Sequence, residues 1–226
     1  MMENKKRAIL IGAGEMDEKC FVVRERNREQ GDLAICGEDL VIALDGGLVF
    51  CAENGIIADY IIGDFDSLLC EKQSLLEKYP QERVMRLPCE KDDTDMLAAI
   101  KFAMEKGISD FVIYGGLGGR LSHTIANIQC LMYLKERGCT GILVGKNTRV
   151  FLLKNETVTF DKGHAGYISV FSYSEKAEGV TLKGLKYELE DAELKADFPL
   201  GVSNEFTGKE AQVSVREGVL LLVMEQ

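Results

Sequence analysis

Short apolar segments that run directly into glycine or aspartate recur through the first two thirds of the chain. The segments with the length and composition of buried strands are residues 7–11, 40–44, 59–62, 83–87, 111–114 and 142–144. Helix-like segments lie between them, at residues 17–30, 48–54, 68–79, 95–106 and 122–136. This alternation favours a mostly parallel sheet, because each helix returns the chain to the start of the next strand. We therefore predict a Rossmann-like α/β domain over residues 1–145.

The pattern changes after residue 145. Segments of alternating polar and apolar residues follow, separated by Gly, Asn and Asp, with no helical period. These segments are residues 150–153, 157–160, 167–173, 212–215 and 219–223. Alternation with a period of two is typical of strands that bury one face. We predict a small C-terminal all-β sandwich domain over residues 146–226.

Carboxylates lie close behind three of the predicted strands. Asp45 follows the second strand, Asp64 and Asp66 follow the third, and Asp95 opens the helix after the fourth. The carboxyl ends of parallel strands share one edge of the sheet, so these residues can meet there. If the backbone stays extended, Asp64 and Asp66 also point to the same side. Adjacent carboxylates repel, and Mg²⁺ is the hard cation that suits both carboxylate and phosphate oxygens. The alternative is a solvated acidic turn.

A glycine-rich loop, residues 115–120, follows the fifth predicted strand and leads into a helix. Its glycines let backbone N–H groups approach a ligand, and a helix N-terminus favours an anion. Arg120 adds a bidentate phosphate donor, and Lys91 is a second candidate. The alternative is a tight turn in which Ser122 caps the helix, with Lys91 in a solvated charge run. Carboxylates that bind Mg²⁺ beside a loop that binds phosphates are the groups that phosphoryl-type transfer uses.

Composition and charge argue against several other classes of protein. A net charge of −10 argues against a nucleic-acid or anionic-membrane binder, and no apolar run reaches the roughly 20 residues that span a bilayer. Seven scattered cysteines without a CxxC pair indicate reduced thiols in a cytoplasmic protein. Two histidines argue against a zinc site. Gly12-Ala13-Gly14 is only part of a dinucleotide fingerprint, so we predict a tight turn there and not a dehydrogenase.

Taken together, these motifs resemble those of the thiamine pyrophosphokinase family. The matching stretches are Asp45-Gly46-Gly47, Gly63-Asp64-Phe65-Asp66-Ser67, Lys91-Asp92-Asp93-Thr94-Asp95, residues 115–127, Gly184-Leu185-Lys186-Tyr187 and Gly201-Val202-Ser203-Asn204-Glu205. They cover nearly the whole chain in the family's order. The combination of GDFDS, KDxTD and GGR is specific, although each motif alone is weak.

The resemblance implies an α/β domain that binds ATP and Mg²⁺, a C-terminal thiamine-binding β-sandwich, and a homodimer with active sites between its chains. The implied reaction moves a pyrophosphoryl group from ATP to the thiamine hydroxyl, giving thiamine diphosphate and AMP. The implied metal ligands are Asp64, Asp66 and Asp95. The implied catalytic residues are Asp66, Asp95, Arg120 and His123. The implied nucleotide contacts are Asp45, Gly46, Lys91, Gly115, Gly118, Gly119, Arg120 and Asn127, and the implied thiamine contacts are Tyr187, Ser203 and Asn204.

This chain departs from the family pattern at three positions. Ser122 stands where the family usually has an acid, Tyr187 where a tryptophan is common, and Ala58 where a proline is usual. A hydroxyl cannot act as a carboxylate base, so the proton acceptor stays open, and His123 has the alternative of a purely structural role. Two rival functions also stay open. One is a related metal-dependent pyrophosphotransferase with another acceptor. The other is a nucleotide or thiamine diphosphate binding protein with impaired catalysis.

Overall fold

A computed structural model of the chain describes residues 7–16, 35–65, 74–90 and 92–226. The chain divides into two compact units, Met1–Lys146 and Asn147–Gln226. The first unit combines strands and helices, whereas the described part of the second contains strands without helices. The mixed α/β fold predicted from the sequence is confirmed at this level.

The first unit contains a sheet of parallel strands. Its strands are β1 (Arg7–Ile11), β2 (Asp39–Leu44), β3 (Tyr60–Gly63), β4 (Val84–Arg86), β5 (Asp110–Tyr114) and β6 (Thr140–Val144). Their order is β6-β5-β1-β2-β3-β4, and each adjacent pair is parallel. The described α-helices are α1 (Gly47–Glu53), α2 (Asp95–Glu105) and α3 (Leu121–Lys135).

The central strands read as continuous apolar runs because both of their faces are buried, as is usual in parallel sheets. All six residues of β2 are buried. Alternate residues of adjacent strands enter one hydrophobic cluster, since the side-chain period of a strand is two. The cluster includes Ile9, Ile11, Val41, Ala43, Ile61, Val112 and Tyr114 of the sheet, with Leu48 and Cys51 of α1.

The strand order changes direction between β1 and β5, where a ligand site is expected in an open α/β sheet. The loops that follow these two strands are joined by backbone hydrogen bonds. Gly12 N–H donates to the Tyr114 carbonyl and Gly14 N–H donates to the Gly115 carbonyl, both at 2.9 Å. Gly115 has φ +62°, and a Cβ there would lie 2.5 Å from the Gly12 carbonyl oxygen. Glycine is therefore required at position 115, and Gly12-Ala13-Gly14 serves close packing of the two loops.

The second unit consists of two four-stranded antiparallel sheets. Its strands are β7 (Thr148–Lys154), β8 (Thr157–Phe160), β9 (Tyr167–Ser172), β10 (Lys176–Lys183), β11 (Leu189–Lys195), β12 (Gly201–Glu205), β13 (Ala211–Ser214) and β14 (Val219–Glu225). The sheet orders are β12-β9-β14-β7 and β11-β10-β13-β8. Both sheets contribute to one core, for example Ile168 and Leu222 from the first and Val180 and Val213 from the second.

Several predicted elements differ from the structure. Strands β10, β11 and β12 were absent from the predicted set. Strand β11 is largely charged and exposed. The register is irregular where β10 pairs with β11 and where β12 pairs with β9. The predicted helix 17–30 lies outside the described residues, as does the first part of the predicted helix 68–79. The described end of the latter is a single 3-10 turn, Leu76–Lys78. No helix among the described residues is long and apolar enough to cross a membrane.

Candidate active site

Three carboxylates from separate parts of the first unit converge at the carboxyl edge of the sheet. Asp45 follows β2, Asp64 follows the adjacent strand β3, and Asp95 is the first residue of α2. One oxygen from each carboxylate lies within 4.8 Å of the others. Each of the three residues is partly buried. The predicted meeting of distant acids therefore occurs for Asp45, Asp64 and Asp95.

The backbone around Asp45 is built to hold its carboxylate. Asp45 has φ +43°, a conformation that few residues other than glycine adopt, and its N–H donates to the Ile62 carbonyl at 3.3 Å. Its Oδ1 accepts a hydrogen bond of 3.2 Å from the Phe65 N–H. Any Cβ at Gly63 would collide with that carboxylate, so the glycine of the GDFDS motif makes room for Asp45.

The extended backbone on which a shared side for Asp64 and Asp66 depends is not present at Phe65. Phe65 has φ +63°, which is left-handed, and its side chain is buried in the core of the first unit. The left-handed turn aims the Phe65 N–H at the Asp45 carboxylate. Asp66 itself lies outside the described residues.

The KDxTD motif sets the position of Asp95 through a helix cap. Thr94 is the N-cap of α2, and its Oγ1 accepts a hydrogen bond of 3.2 Å from the Leu97 N–H. Asp93 pairs with Lys101 at 2.6 Å, away from the cluster. Thus two acids in one short motif have different partners, and Asp95 is the one that joins the cluster. Lys91 lies outside the described residues.

The electrostatics of the cluster favour a bound proton or cation. Burial raises the pKa of Asp45 from 3.8 to about 7, and the hydrogen bond with Asp95 and the charges of Asp95 and Asp64 act in the same direction. The Phe65 N–H opposes them, because it stabilises the ionised carboxylate. With a pKa of about 7, Asp45 is partly protonated near neutral pH, and a bound cation would displace that proton.

The glycine loop ends in an exposed stretch, residues 118–120, that leads into α3. Arg120 is the N-cap residue of α3, and its side chain makes no capping hydrogen bond. The alternative in which Ser122 caps the helix is therefore wrong, because Ser122 already lies within its first turn. Among the residues that the structure describes, no carboxylate forms an ion pair with Arg120. The start of α3 thus combines a helix N-terminus that Arg120 does not cap with the exposed guanidinium of the same residue.

The other residues predicted around the loop have varied surroundings. Asn127 donates from Nδ2 to the Gly116 carbonyl at 2.7 Å, which ties the loop to α3. His123 is exposed in the first turn of α3. Gly46 is the N-cap residue of α1 and lies against the Ala13 side chain, so the loops after β1 and β2 are in contact. The sequence signal for that contact was Gly12-Ala13-Gly14, which we interpreted only as a turn.

The residues predicted to contact thiamine lie in the second unit. The side chain of Tyr187 is 60% exposed, and Ser203 is exposed. Asn204 is only 2% exposed, and its amide is hydrogen-bonded to the backbone of Tyr187 on both sides. The structure therefore brings Tyr187 and Asn204 together, with the Asn204 amide engaged by the protein itself. Ser169 belongs to none of the sequence motifs, and its hydroxyl accepts a hydrogen bond from the Ser203 N–H.

Comparison with known proteins gives a consistent family. The family model "Thiamin pyrophosphokinase, catalytic domain" matches residues 32–143, and "Thiamin pyrophosphokinase, vitamin B1 binding domain" matches residues 155–220. A curated relative, thiamine pyrophosphokinase of Bacillus subtilis, is 31% identical over 186 residues, which are 81% of this chain and 86% of that protein.

Solved structures agree with these matches. The crystal structure of thiamine pyrophosphokinase from Bacillus subtilis aligns with a TM-score of 0.83 at 25% identity, covering 98% of this chain and 99% of that one. The thiamin pyrophosphokinase of Geobacillus thermodenitrificans aligns with a TM-score of 0.79 at 25% identity, covering 97% of both chains. These matches confirm the resemblance found in the sequence motifs, and the chain belongs to the thiamine pyrophosphokinase family.

Proposed function

We propose that this chain transfers a pyrophosphoryl group from ATP to the hydroxyl of thiamine, yielding thiamine diphosphate and AMP. The observation that carries the proposal is the convergence of Asp45, Asp64 and Asp95 at the carboxyl edge of the sheet, in a member of this family. The three segments are far apart in sequence, so the fold alone brings them together. No observation favours either rival function.

The carboxylate cluster suits Mg²⁺. Its donors are hard oxygens with partial solvent access, which leaves room for water and phosphate ligands. Burial, together with the neighbouring carboxylates Asp95 and Asp64, raises the pKa of Asp45, and this supports the assignment of a cation to the cluster. We assign Asp45, Asp64 and Asp95 to the metal, and keep Asp66 as a ligand predicted from the sequence. When bound, such a cation neutralises charge on the phosphate oxygens of the nucleotide.

We assign the glycine loop and Arg120 to the triphosphate. The N-terminus of α3 offers backbone N–H groups to an anion, and the Arg120 guanidinium is exposed beside them. Asn127 supports this site by holding the Gly116 carbonyl, so its role is to shape the loop. Lys91 stays a predicted phosphate contact.

The chemical step forms one bond and breaks one. The thiamine hydroxyl oxygen attacks the β-phosphorus of ATP, and the bond from that phosphorus to the oxygen bridging the α-phosphate breaks. AMP leaves with that oxygen, and the hydroxyl proton passes to a base. Positioning and charge neutralisation supply most of the catalysis in such transfers. The identity of the base stays open, and His123 in the first turn of α3 stays a predicted catalytic residue.

We assign thiamine to the second unit, at Tyr187 and Ser203. An exposed tyrosine ring can stack on the cationic thiazolium or on the pyrimidine of thiamine. Ser203 is exposed on β12, and the next residue, Asn204, is hydrogen-bonded to the backbone of Tyr187. This part of the proposal is supported by the match of residues 155–220 to the vitamin B1 binding domain.

We further propose that the active form is a homodimer in the cytoplasm with active sites between the chains. Large apolar side chains are exposed on and beside the edge strand β12, namely Tyr167, Phe198, Leu200 and Val202. Exposed apolar residues gathered near one edge are typical of an interaction surface. Mixing inactive Asp64→Asn and Tyr187→Ala chains should restore about a quarter of wild-type activity if sites are shared, because half of the dimers then hold one intact site. No recovery at all would contradict shared sites.

The function is tested by product analysis. Purified protein with thiamine, ATP and Mg²⁺ should give a product heavier than thiamine by two phosphates, with an equal amount of AMP. AMP should appear only when thiamine is present. Asp64→Asn should lower the rate on the order of 100-fold to 1,000-fold, whereas Asp93→Asn, which affects the ion pair with Lys101, should stay near wild type. A product with one added phosphate, or AMP release without thiamine, would refute the proposal.

A further inference from the structure

Strand β12 contains a bulge at the residues predicted to face thiamine. Gly201 pairs with Val170 and Asn204 pairs with Ile168, so Val202 and Ser203 lie opposite Ser169 alone. Two residues opposite one is the pattern of a β-bulge. As a result the alternation of the strand is broken, and Val202 and Ser203 are both exposed while Asn204 turns inward.

Ser203 has a backbone conformation that needs support. Its φ is +57°, a left-handed conformation that an ordinary residue adopts less readily than glycine does. The support comes from the neighbouring strand, where the buried Ser169 hydroxyl accepts a hydrogen bond of 3.0 Å from the Ser203 N–H. The Ser169 side chain therefore replaces the ladder bond that the bulge removes.

Asn204 fixes a second segment against the same strand. Its Oδ1 accepts hydrogen bonds from the N–H groups of Tyr187 and Glu205, each at 2.9 Å. Its Nδ2 donates to the Tyr187 carbonyl at 2.7 Å. Both backbone polar groups of Tyr187 are thus held by one buried side chain, while the Tyr187 ring stays exposed.

Buried polar residues are rare in this structure. Among the described residues they are Asp39, Ser169 and Asn204. Asp39 is paired with Arg7 in the first unit, so the other two both lie beside Ser203. A buried polar group adds little net stability compared with an apolar one of the same shape, whereas it does fix a local geometry. This concentration at one exposed serine and one exposed tyrosine points to a role in presenting those side chains.

We propose that Ser169 and Asn204 are positioning residues for thiamine, which together hold the Ser203 hydroxyl and the Tyr187 ring in place. This inference rests on the proposed function, since it assigns the substrate that the two exposed side chains meet. Ser169 acts through the left-handed backbone of Ser203, and Asn204 acts through the backbone of Tyr187. Neither buried side chain needs to touch the substrate.

A double-mutant cycle at Ser169 and Ser203 tests the inference. Ser169→Ala should raise the KM for thiamine roughly 3-fold to 10-fold, as expected for one hydrogen bond, with the KM for ATP and the Tm near wild type. Ser203→Gly loses the hydroxyl but adopts the left-handed backbone without support. In that background Ser169→Ala should change the thiamine KM less than about 2-fold, because the two effects act through one element.

Ser172→Ala is the matched control. Ser172 lies on the same strand β9 and also uses its hydroxyl for one backbone hydrogen bond, to the Ser174 carbonyl at 2.9 Å. It should leave both KM values unchanged. Three outcomes would overturn the inference: an unchanged thiamine KM in Ser169→Ala, an equal rise in the KM for ATP, or an equal effect of Ser169→Ala in both backgrounds. The proposed function would still hold in these cases, provided that the wild-type chain makes thiamine diphosphate. No thiamine diphosphate from the wild-type chain would overturn the function and the inference with it.

Discussion

Replacing Asp45 by asparagine should stabilise the metal-free protein and impair its response to Mg²⁺. Asparagine resembles protonated Asp45, since its Oδ1 can still accept the hydrogen bond from the Phe65 N–H and its amide can donate to Asp95. It also removes one of three negative charges whose oxygens lie within 4.8 Å of one another. The same change takes away a carboxylate ligand, so opposite effects are expected with and without the cation.

The size of the effect follows from the pKa of Asp45. A rise from 3.8 to about 7 corresponds to roughly 4 kcal/mol at about 1.4 kcal/mol per unit. The side chain is only partly buried, so solvent screening reduces the expected gain in the free energy of unfolding to about 1–2 kcal/mol. The folded state binds the Asp45 proton more tightly than the unfolded chain does. Wild-type stability therefore falls as the pH rises from about 4 to about 7, whereas the variant lacks this loss.

The assay is a urea titration in which circular dichroism monitors unfolding. It is run at pH 5 and at pH 8, each with EDTA or with Mg²⁺. With EDTA the advantage of Asp45→Asn should be larger at pH 8 than at pH 5. Mg²⁺ should stabilise the wild type and have much less effect on the variant, whose turnover should fall about 100-fold or more. Asp93→Asn should respond to Mg²⁺ like the wild type, because its partner is Lys101. The reasoning fails if Asp45→Asn is the less stable protein with EDTA at pH 8, or if Mg²⁺ stabilises both equally.

Three further predictions concern the glycine loop and the metal. Gly115→Ala should lower the free energy of unfolding by about 2–3 kcal/mol, because both its positive φ and the Gly12 carbonyl oppose a Cβ. Gly119→Ala should lower it by about 1 kcal/mol, because Gly119 has φ +64° but open space around it. Urea titration measures both variants. Asn127→Ala should raise the KM for ATP several-fold, because the variant loses the hydrogen bond that holds the Gly116 carbonyl. The KM for thiamine should stay unchanged, and equal changes in both KM values would contradict the prediction. The Mg²⁺ concentration for half-maximal rate should rise as the pH falls from 8 to 6, because protons compete for Asp45, and a rate titration at each pH checks it.

The sequence predicted the parts of the fold that depend on local periodicity. Continuous apolar runs indicated parallel strands because strands buried on both faces need no polar residues. The acids could be assigned to one edge because all strands of a parallel sheet end there. Helices α2 and α3 were predicted within one residue at each end, since Gly107 and Gly138 mark where they stop.

Other features depend on contacts between distant residues and could not be predicted. The sequence placed Asp45 and Asp64 at one edge of the sheet, but the adjacency of β2 and β3 at that edge is not written in either segment. Phe65 adopts a left-handed backbone although phenylalanine has no local preference for it, because the turn and the buried ring require it. Likewise, the role of Ser169 follows from a bulge in the opposite strand, which leaves no mark around Ser169 itself.

The contact between the loops after β1 and β5 has a consequence for how the enzyme matures. Ile9 pairs with Val112, so closing this seam joins segments separated by about 100 residues, which is among the slowest kinds of step in folding. The glycine loop gains its shape only when the seam is closed, since Gly14 donates to the Gly115 carbonyl. Since such non-local pairing is slow, we expect the loop that we assign to the triphosphate to form late in folding. Nucleotide should accordingly bind the finished fold alone and protect it from proteolysis.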